Sequence, residues 1–342
     1  MIEIKNLSLN VGNFKLQDIS FVIEGYTVLL GPTGAGKSLL LDAISGLREI
    51  DSGEILSNGK SIVNTDITKR GIGILLQDGA LFPHLNVMKN LEFPYRIRKQ
   101  KPDYQIIKSY AKQFRIDKLF NRSIDTLSGG EKQRIALLRS IITNPRVLLL
   151  DEPLSAIDPS MRHGMQRFLK EMKRIVKIPV LHVTHDFEEA YYLADSIVVL
   201  NNGKIEQIGP PEKIFRQPDS LFVANFTDME NFLPLEGIDK NVGIIGKTNI
   251  YCDIDKGQKK LFTIRADEII VSRKKFKSSA RNFLNMKVKS IRDTGKAILI
   301  ELINDDIKLK STITKFSLES MNLKEGEMIF AVFKAKSLHE LS

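Results

Sequence analysis

The sequence predicts an α/β layered domain followed by a smaller all-β domain. Short, almost wholly apolar runs at Thr27–Leu30, Val147–Leu150 and Val180–Val183 have the pattern of strands buried on both faces of a central sheet. Helix-like segments alternate with them over the first two-thirds of the chain, as in layered α/β folds. After about Asn231 the pattern changes to short alternating strands at Met286–Ile291, Lys296–Ile303, Asp306–Ile313 and Met328–Phe333. These are broken by Gly295, Asn304-Asp305 and Gly326, the spacing of a small barrel or sandwich. The expected domains are residues 1–230 and 231–342.

Individual elements follow from local chemistry. A helical run, Leu39–Leu47, follows the first buried strand. Residues 78–144 are mostly helical in pattern, with basic residues facing outward. Ser196–Ile208 reads as a hairpin turning at Asn201-Asn202-Gly203. Pro210-Pro211 and Pro218 punctuate the end of the first domain.

A chain of 342 residues is long enough for two domains. With 42% hydrophobic and 27% charged residues it has the balance of a folded protein and not of a disordered one. The net charge is +10 and uneven: residues 231–342 carry 21 basic and 14 acidic side chains, against 30 and 27 in residues 1–230. The basic tail domain suits an anionic partner or ligand. One cysteine, Cys252, excludes an intrachain disulfide and fits a cytoplasmic address. No run approaches the ~18 apolar residues of a membrane span, and the N-terminus lacks the apolar stretch of a signal peptide. The expectation is a chain that neither crosses a membrane nor is exported.

The chemistry is concentrated in four places. Gly31-Pro32-Thr33-Gly34-Ala35-Gly36-Lys37-Ser38 is a complete phosphate-binding loop, set between a buried strand and a helix. Its glycines let backbone N–H groups converge on a phosphate, and the helix start adds a favourable dipole. Lys37 supplies charge to the β- and γ-phosphates and the Ser38 hydroxyl a ligand for Mg²⁺. Val147-Leu148-Leu149-Leu150-Asp151-Glu152 is an apolar strand ending in two acids, with Asp151 placed for the metal and Glu152 for the attacking water. His185 follows the strand Pro179–Thr184, where it can sense a γ-phosphate. Leu127-Ser128-Gly129-Gly130-Glu131-Lys132-Gln133-Arg134 opens a helix and forms a second anion cradle, surplus unless it serves a second chain.

Taken together, these motifs resemble the ATP-binding-cassette (ABC) ATPases over about residues 1–230. The resemblance implies a P-loop NTPase with a RecA-like core and a helical subdomain at about 78–144. It further implies a head-to-tail homodimer that buries two ATP molecules with Mg²⁺. Gly31–Ser38 and Leu39 would hold the nucleotide, and Ser128, Gly129 and Gly130 of the other copy would close on it. Gln77 stands where the family's glutamine contacts Mg²⁺ and water, so Ser38, Gln77 and Asp151 form the expected metal set. Asp158, in Ser155-Ala156-Ile157-Asp158, bridges the two sites, and Glu152, His185 and Gln77 are the expected catalytic residues. One departure is Val11, where the family places an aromatic ring against adenine. Phe14 stands three residues on, and stacking is worth only ~1 kcal/mol beside the triphosphate contacts.

The recipient of the motor's work follows from two further regions. Residues 77–90 contain the apolar cluster Leu81, Phe82, Pro83 and Leu85, where transporter members accept a helix of the membrane subunit. The alternative is local core packing. The C-terminal segments Ser279-Ala280-Arg281-Asn282, Thr312-Ile313-Thr314 and Phe333-Lys334-Ala335-Lys336-Ser337 resemble the molybdate- and tungstate-binding MOP/TOBE type of OB-like domain. A tetrahedral dianion accepts hydrogen bonds only, so it needs donors and cations. Ser279, Ala280, Arg281, Asn282, Lys334, Ala335 and Ser337 are the expected oxyanion residues, with Lys336 departing from the family's small hydroxyl residue. Arg273-Lys274-Lys275-Phe276-Lys277 reads as a solvated basic loop. The implied protein is the ATPase of a molybdate or tungstate importer, peripheral on the cytoplasmic face of the cell membrane. Its expected partners are two permease subunits and an external binding protein, with feedback by bound oxyanion and no nucleic acid. The alternatives are an importer of sulfate, iron, a polyamine or a sugar, or a non-transport ABC ATPase.

Overall fold

The computed structural model describes residues 1–77, 81–155 and 157–341. The expected start of the helical insert at Asp78 and the Ala156 position therefore lie outside the described residues. Contacts divide the chain into two units, Met1–Glu212 and Lys213–Ser342. The division falls before the Asn231 boundary expected from the sequence, because two short helices precede the first strand of the second unit.

The first unit runs β1 (Ile2–Val11), β2 (Phe14–Ile23), β3 (Tyr26–Leu30), α1 (Lys37–Ser45), β4 (Ser52–Ser57), β5 (Lys60–Ser61), β6 (Ile72–Leu75), α2 (Val87–Ile97), α3 (Tyr104–Gln113), α4 (Gly129–Ile141), β7 (Val147–Asp151), α5 (Pro159–Ile175), β8 (Val180–Val183), α6 (Phe187–Leu193), β9 (Ser196–Asn201) and β10 (Lys204–Gly209). Two sheets form, ordered β2-β1-β4-β5 and β10-β9-β3-β8-β7-β6. The second is the central sheet. Every residue of β3 and β8 is buried, and β7 only emerges at Asp151, as continuous apolar runs require. Leu40, Leu41 and Ile44 of α1 fill the core between the two sheets. The helix ends at Ser45, earlier than the apolar run suggests, because Gly46 turns left-handed (φ 87°) and donates its N–H to the Asp42 and Ala43 carbonyls.

The expected hairpin is β9–β10. Its two turn residues, Asn202 and Gly203, both have positive φ (45° and 73°), the turn that matches strand twist. Gly203 cannot carry a side chain, since a Cβ would collide with the Lys15 carbonyl of β2. The helical region holds α2, α3 and α4, whose N-caps are Asn86, Asp103 and Ser128.

The second unit begins within α7 (Pro211–Arg216) and continues through α8 (Leu221–Phe226), β11 (Asn231–Asp239), β12 (Val242–Ile245), β13 (Thr248–Tyr251), β14 (Lys256–Ile264), β15 (Ile270–Ser272), β16 (Asn282–Asp293), β17 (Ile298–Ile303), β18 (Lys308–Ile313), α9 (Lys315–Met321), β19 (Met328–Phe333) and β20 (His339–Leu341). Its two antiparallel sheets, β13-β12-β11-β14-β20 and β15-β19-β16-β17-β18, share one apolar core that includes Leu233, Phe262, Met286, Ile300 and Ile329. Asn231 ties the sheets together. Its Nδ2 donates to the Ile264 and Lys310 carbonyls (3.1 and 3.0 Å), and its Oδ1 accepts from the Lys310 N–H (2.5 Å). The fold class is thus a layered α/β domain, with a glycine-rich loop between β3 and α1, followed by an all-β domain. No helix among the described residues is long and apolar enough to cross a membrane.

Candidate nucleotide site

The central sheet puts its chemistry on one edge. Strands β3, β6, β7 and β8 are parallel, with Leu29 opposite Val183, Leu75 opposite Leu150 and Asp151 opposite Val183. The turns that leave their C-terminal ends carry Gly31–Ser38, Gln77, Glu152 and His185. This is the edge where ligands of parallel α/β sheets bind.

The loop between β3 and α1 is wound tightly. Gly34 and Gly36 have φ of 82° and 101°, conformations that a side chain resists. Gly36 is the N-cap of α1 and offers no capping side chain, so the first helical N–H groups lack a partner of that kind. Lys37 is 8% exposed and folds back, its Nζ donating to the Gly31 and Pro32 carbonyls at 2.8 and 2.9 Å. Burial lowers its pKa, and the carboxylates of Glu152 and Asp151 pull the other way. Asp151 is raised, first by burial and then by the charges of Glu152 and Asp42, while a hydrogen bond from Ser38 and the charge of Lys37 oppose. A cation with phosphates opposite would relieve that cluster. The hydroxyl and carboxylate of Ser38 and Asp151, with the exposed Gln77, are oxygen ligands that suit a hard divalent ion. The Phe14 ring packs against the loop: a Cβ on Gly36 would stand 2.7 Å from Phe14 Cε1. Val11 and Phe14 are both half-buried against the core.

Glu152 sits in a strained left-handed turn (φ 42°). Its N–H donates to the Val183 carbonyl (3.0 Å), and its own carbonyl accepts from Ser155 N–H and Oγ (3.1 and 2.8 Å). The carboxylate meets His185, with Glu152 Oε1 3.1 Å from Nδ1. His185 is largely exposed, so it can exchange this partner for another anion. Behind it lies a buried group that sequence reasoning misses. The Tyr26 hydroxyl lies 2.9 Å from His182 Nδ1, and Thr184 Oγ1 donates to Glu189 Oε2 (2.8 Å) and accepts the Asp186 N–H (3.1 Å). His182 Nε2 has no hydrogen-bond partner and stands 3.6 Å from Glu189. Burial pushes His182 down to about 3 and Glu189 up to about 6. This network fixes the strand end that presents His185. Its one sequence signal is a lone histidine inside an apolar strand.

The second cradle is closed on itself. Ser128 N–H and Oγ donate to Glu131 Oε2 (2.8 and 2.9 Å), and Glu131 N–H donates to Ser128 Oγ (3.3 Å), a reciprocal capping box. The Ser128 N–H, more than any other cause, holds the Glu131 carboxyl below its usual range. Gln133, also unassigned by sequence, donates from Nε2 to the Pro153 carbonyl (2.6 Å) and so joins α4 to the turn carrying Glu152. Asp158 caps α5, accepting from Ser160 N–H and Oγ (2.8 and 2.6 Å). Among the described residues no hydrogen bond or ion pair joins Ser128, Gly129 or Gly130 to Gly31–Ser38. In the neighbouring loop, Phe82 is half-buried against Phe93 (4.3 Å between ring centroids), and buried Asn90 holds the loop through the Phe82 and Leu85 carbonyls.

In the second unit the expected oxyanion residues gather at two paired strand ends, since Asn282 of β16 lies opposite Phe333 of β19. Ser279, Arg281 and Lys334 are exposed, Ala335 and Ser337 half-buried, and Ala280 buried. Arg281 stands over the Tyr251 ring at 6.0 Å. Asn282 is 1% exposed and its amide is already committed, with Oδ1 accepting from Tyr251 N–H and Nδ2 donating to Tyr251 O (2.8 and 2.9 Å).

The ABC transporter family profile matches residues 16–155 and the TOBE domain profile residues 278–339. A molybdate/tungstate import ATP-binding protein of Pyrococcus horikoshii is 34% identical over 344 residues, covering 99% of both chains. A spermidine/putrescine import ATP-binding protein of Mycoplasma mycoides is 38% identical over 324 residues, covering 92% of this chain and 90% of its own. The solved structure of cbiO1 from Clostridium perfringens, part of an ABC transporter complex, superposes with a TM-score of 0.57 at 28% identity, covering 63% of this chain and 90% of that one.

Proposed function

Because the chain belongs to the ABC transporter ATP-binding family and carries a C-terminal TOBE domain, we propose that it energises the import of molybdate or tungstate. It is an ABC importer ATPase, associated with membrane permease partners. The observation that carries the hydrolytic reading is the single sheet edge shared by Gly31–Ser38, Gln77, Asp151, Glu152 and His185. In this reading the N–H groups from Gly31 to Leu39 cradle the triphosphate and Lys37 leaves its loop carbonyls for the β- and γ-phosphates. Ser38, Asp151 and Gln77 would hold Mg²⁺, which would supply charge to neutralise phosphate oxygens. Glu152 accepts the proton of the attacking water, and His185 gives up Glu152 to face the γ-phosphate. The cap comes from Ser128, Gly129 and Gly130 of a second copy, with Asp158 at the contact between copies. Phe82 and its neighbours receive the permease helix on the cytoplasmic face.

Glu152→Gln tests the mechanism. Turnover should fall by about 10²–10⁴, while ATP binding persists and sedimentation shows an ATP-dependent dimer. Retained turnover, or a monomer at saturating ATP, overturns it.

The substrate reading is supported by the match along the whole chain to the molybdate/tungstate protein and by the cationic pair Arg281 and Lys334 at joined strand ends. Asn282 contributes by holding Tyr251 in place beneath Arg281. Anion bound at this end would slow ATP hydrolysis when the cytoplasm is replete, and an external binding protein would deliver the substrate. Calorimetric titration of the full chain with tungstate, molybdate, sulfate and spermidine separates the readings. Binding of the first two, weakened by Arg281→Ala, is expected; spermidine binding alone favours the polyamine relatives instead.

A further inference from the structure

A cleft of about 460 Å³ opens between α5 and the start of α4, with Gly130 of the second cradle and Ile157 in its lining. Its floor is apolar, formed by Met161, Met165 and Phe168. Its rim is cationic, with Arg115 after α3, Arg134 on α4 and Arg167 on α5. Two carboxylates answer these three guanidiniums: Glu171, 3.6 Å from Arg115 on an exposed surface, and Glu131, whose charge acts on Arg134. Arg134 is the least satisfied of the three. Its Nε is buried out of reach of solvent and has no hydrogen-bond partner, which leaves the guanidinium charge poorly compensated within the protein. Burial, and then the charge of Arg115, work against its positive charge, and the Glu131 carboxylate that opposes them is already engaged by Ser128.

Gly164 supplies a second, independent observation. It lies inside α5, where glycine is disfavoured, and its φ is not in the left-handed region. A Cβ built there would meet nothing within 4 Å. The fold therefore does not need a glycine here, and the missing side chain leaves one wall of the cleft open.

We propose that this cleft binds a small organic carboxylate carrying a short aliphatic chain. The carboxylate would pair with the positive rim supplied by Arg134 and Arg167, since a planar guanidinium fork matches a planar carboxylate. The chain would lie on Met161, Met165 and Phe168, an adaptable apolar floor. A volume in the range of small-molecule sites and a few convergent polar groups over an apolar lining are what such a ligand needs.

Hexanoate is the probe, with acetate and hexanol as controls, titrated into the full chain by calorimetry. Saturable hexanoate binding is expected, about tenfold or more tighter than acetate, which lacks the chain, and than hexanol, which lacks the charge. Arg167→Glu should weaken it about tenfold or more. Gly164→Phe should abolish it while the protein stays folded, because the space is open and helix propensity improves. As a second variant, Gly164→Glu places a carboxylate of the chain's own in the cleft and should exclude hexanoate. Absent saturable binding, equal binding of hexanol, or hexanoate affinity unchanged in both Arg167→Glu and Gly164→Phe overturns the proposal.

Discussion

Helices α1 and α4 both start on glycine-rich segments, yet they treat their free N–H groups in opposite ways. At α1 the N-cap is Gly36, with no capping side chain, and Lys37 is spent on loop carbonyls. At α4 the N-cap is Ser128, and Glu131 closes a capping box around it. The first start is open and seeks an anion; the second already carries its own carboxylate and is stable alone. The difference teaches that a glycine-rich helix start is not one kind of site. An anion reaching Ser128 must approach a hydroxyl already engaged with a carboxylate, which suits a site completed only when a second body brings strong charge.

Paired glycine substitutions sharpen this contrast most. Gly36→Ala forces a side chain into φ 101° and into Phe14 and Leu16, both within 2.9 Å of the new Cβ. A loss of about 3 kcal/mol is expected from backbone strain and overpacking, together with loss of nucleotide binding. Gly130→Ala has ordinary backbone conformation and meets only the flexible Met161 Cε at 2.9 Å. Its stability should change by less than about 1 kcal/mol, since helix propensity improves. Thermal unfolding and nucleotide titration of both variants check this. Equal destabilisation would show that the two helix starts are alike after all.

The same contrast explains what was legible in the sequence. Gly31–Ser38, Asp151 and Glu152 could be read because each motif lies at the end of an unbroken apolar strand, so local pattern and function coincide. The partner sheet of the first unit was not legible. β1 pairs with β2 through register shifts between Ile4 and Leu7 and between Leu7 and Leu9, and Asn6 and Asp18 take positive φ. Each bulge shifts the alternation by a residue, so no clean period of two survives. The self-closure of Ser128 was equally hidden, although Ser128 and Glu131 have the capping-box spacing, because the glycines between them suggested an open cradle. Asn282 looks like a ligand donor in a basic domain and Asn231 only marks a change of pattern, yet each spends its amide on backbone that is distant in sequence. Tertiary partners of that kind leave no local trace.

A buried acid beside the catalytic edge gives the next effect. Glu189 is raised to about 6, so the folded state holds its proton more tightly than the unfolded chain does. That contribution favours folding at low pH and is lost as pH rises through about 6. His182 is lowered to about 3, so its contribution has the opposite sign: it is complete above the ordinary histidine value of 6.5 and is lost as pH falls. Between about pH 4.5 and 6 the two nearly cancel. Glu189→Gln removes one and exposes the other. The variant's stability should rise by about 1 kcal/mol from pH 4.5 to 6 relative to the parent's profile. Urea midpoints at pH 4.5, 5 and 6 measure it, and parallel profiles for parent and variant would remove this pair from the pH response. The apolar edge strand β6 has no comparable ionisable pair and should be indifferent.

The smallest effect bears directly on the two helix starts. Glu131→Gln keeps a side chain able to accept from Ser128 but removes the charge at the head of α4. Exposed charge at a helix N-terminus is worth about 0.3–1 kcal/mol and is screened by salt, so a loss near the lower end is expected, shrinking further as salt is added. The direction with pH follows from the lowered carboxyl: its contribution is present above the ordinary glutamate range and fades as pH falls. The more telling measurement is nucleotide affinity at protein concentrations where the chain is monomeric. If the open start at α1 is complete within one chain, Glu131→Gln leaves that affinity unchanged and alters only the concentration at which ATP brings two copies together. A fall in monomer affinity would mean that the charge at α4 is felt at Lys37 within a single chain, and the division between an open and a closed helix start would no longer hold.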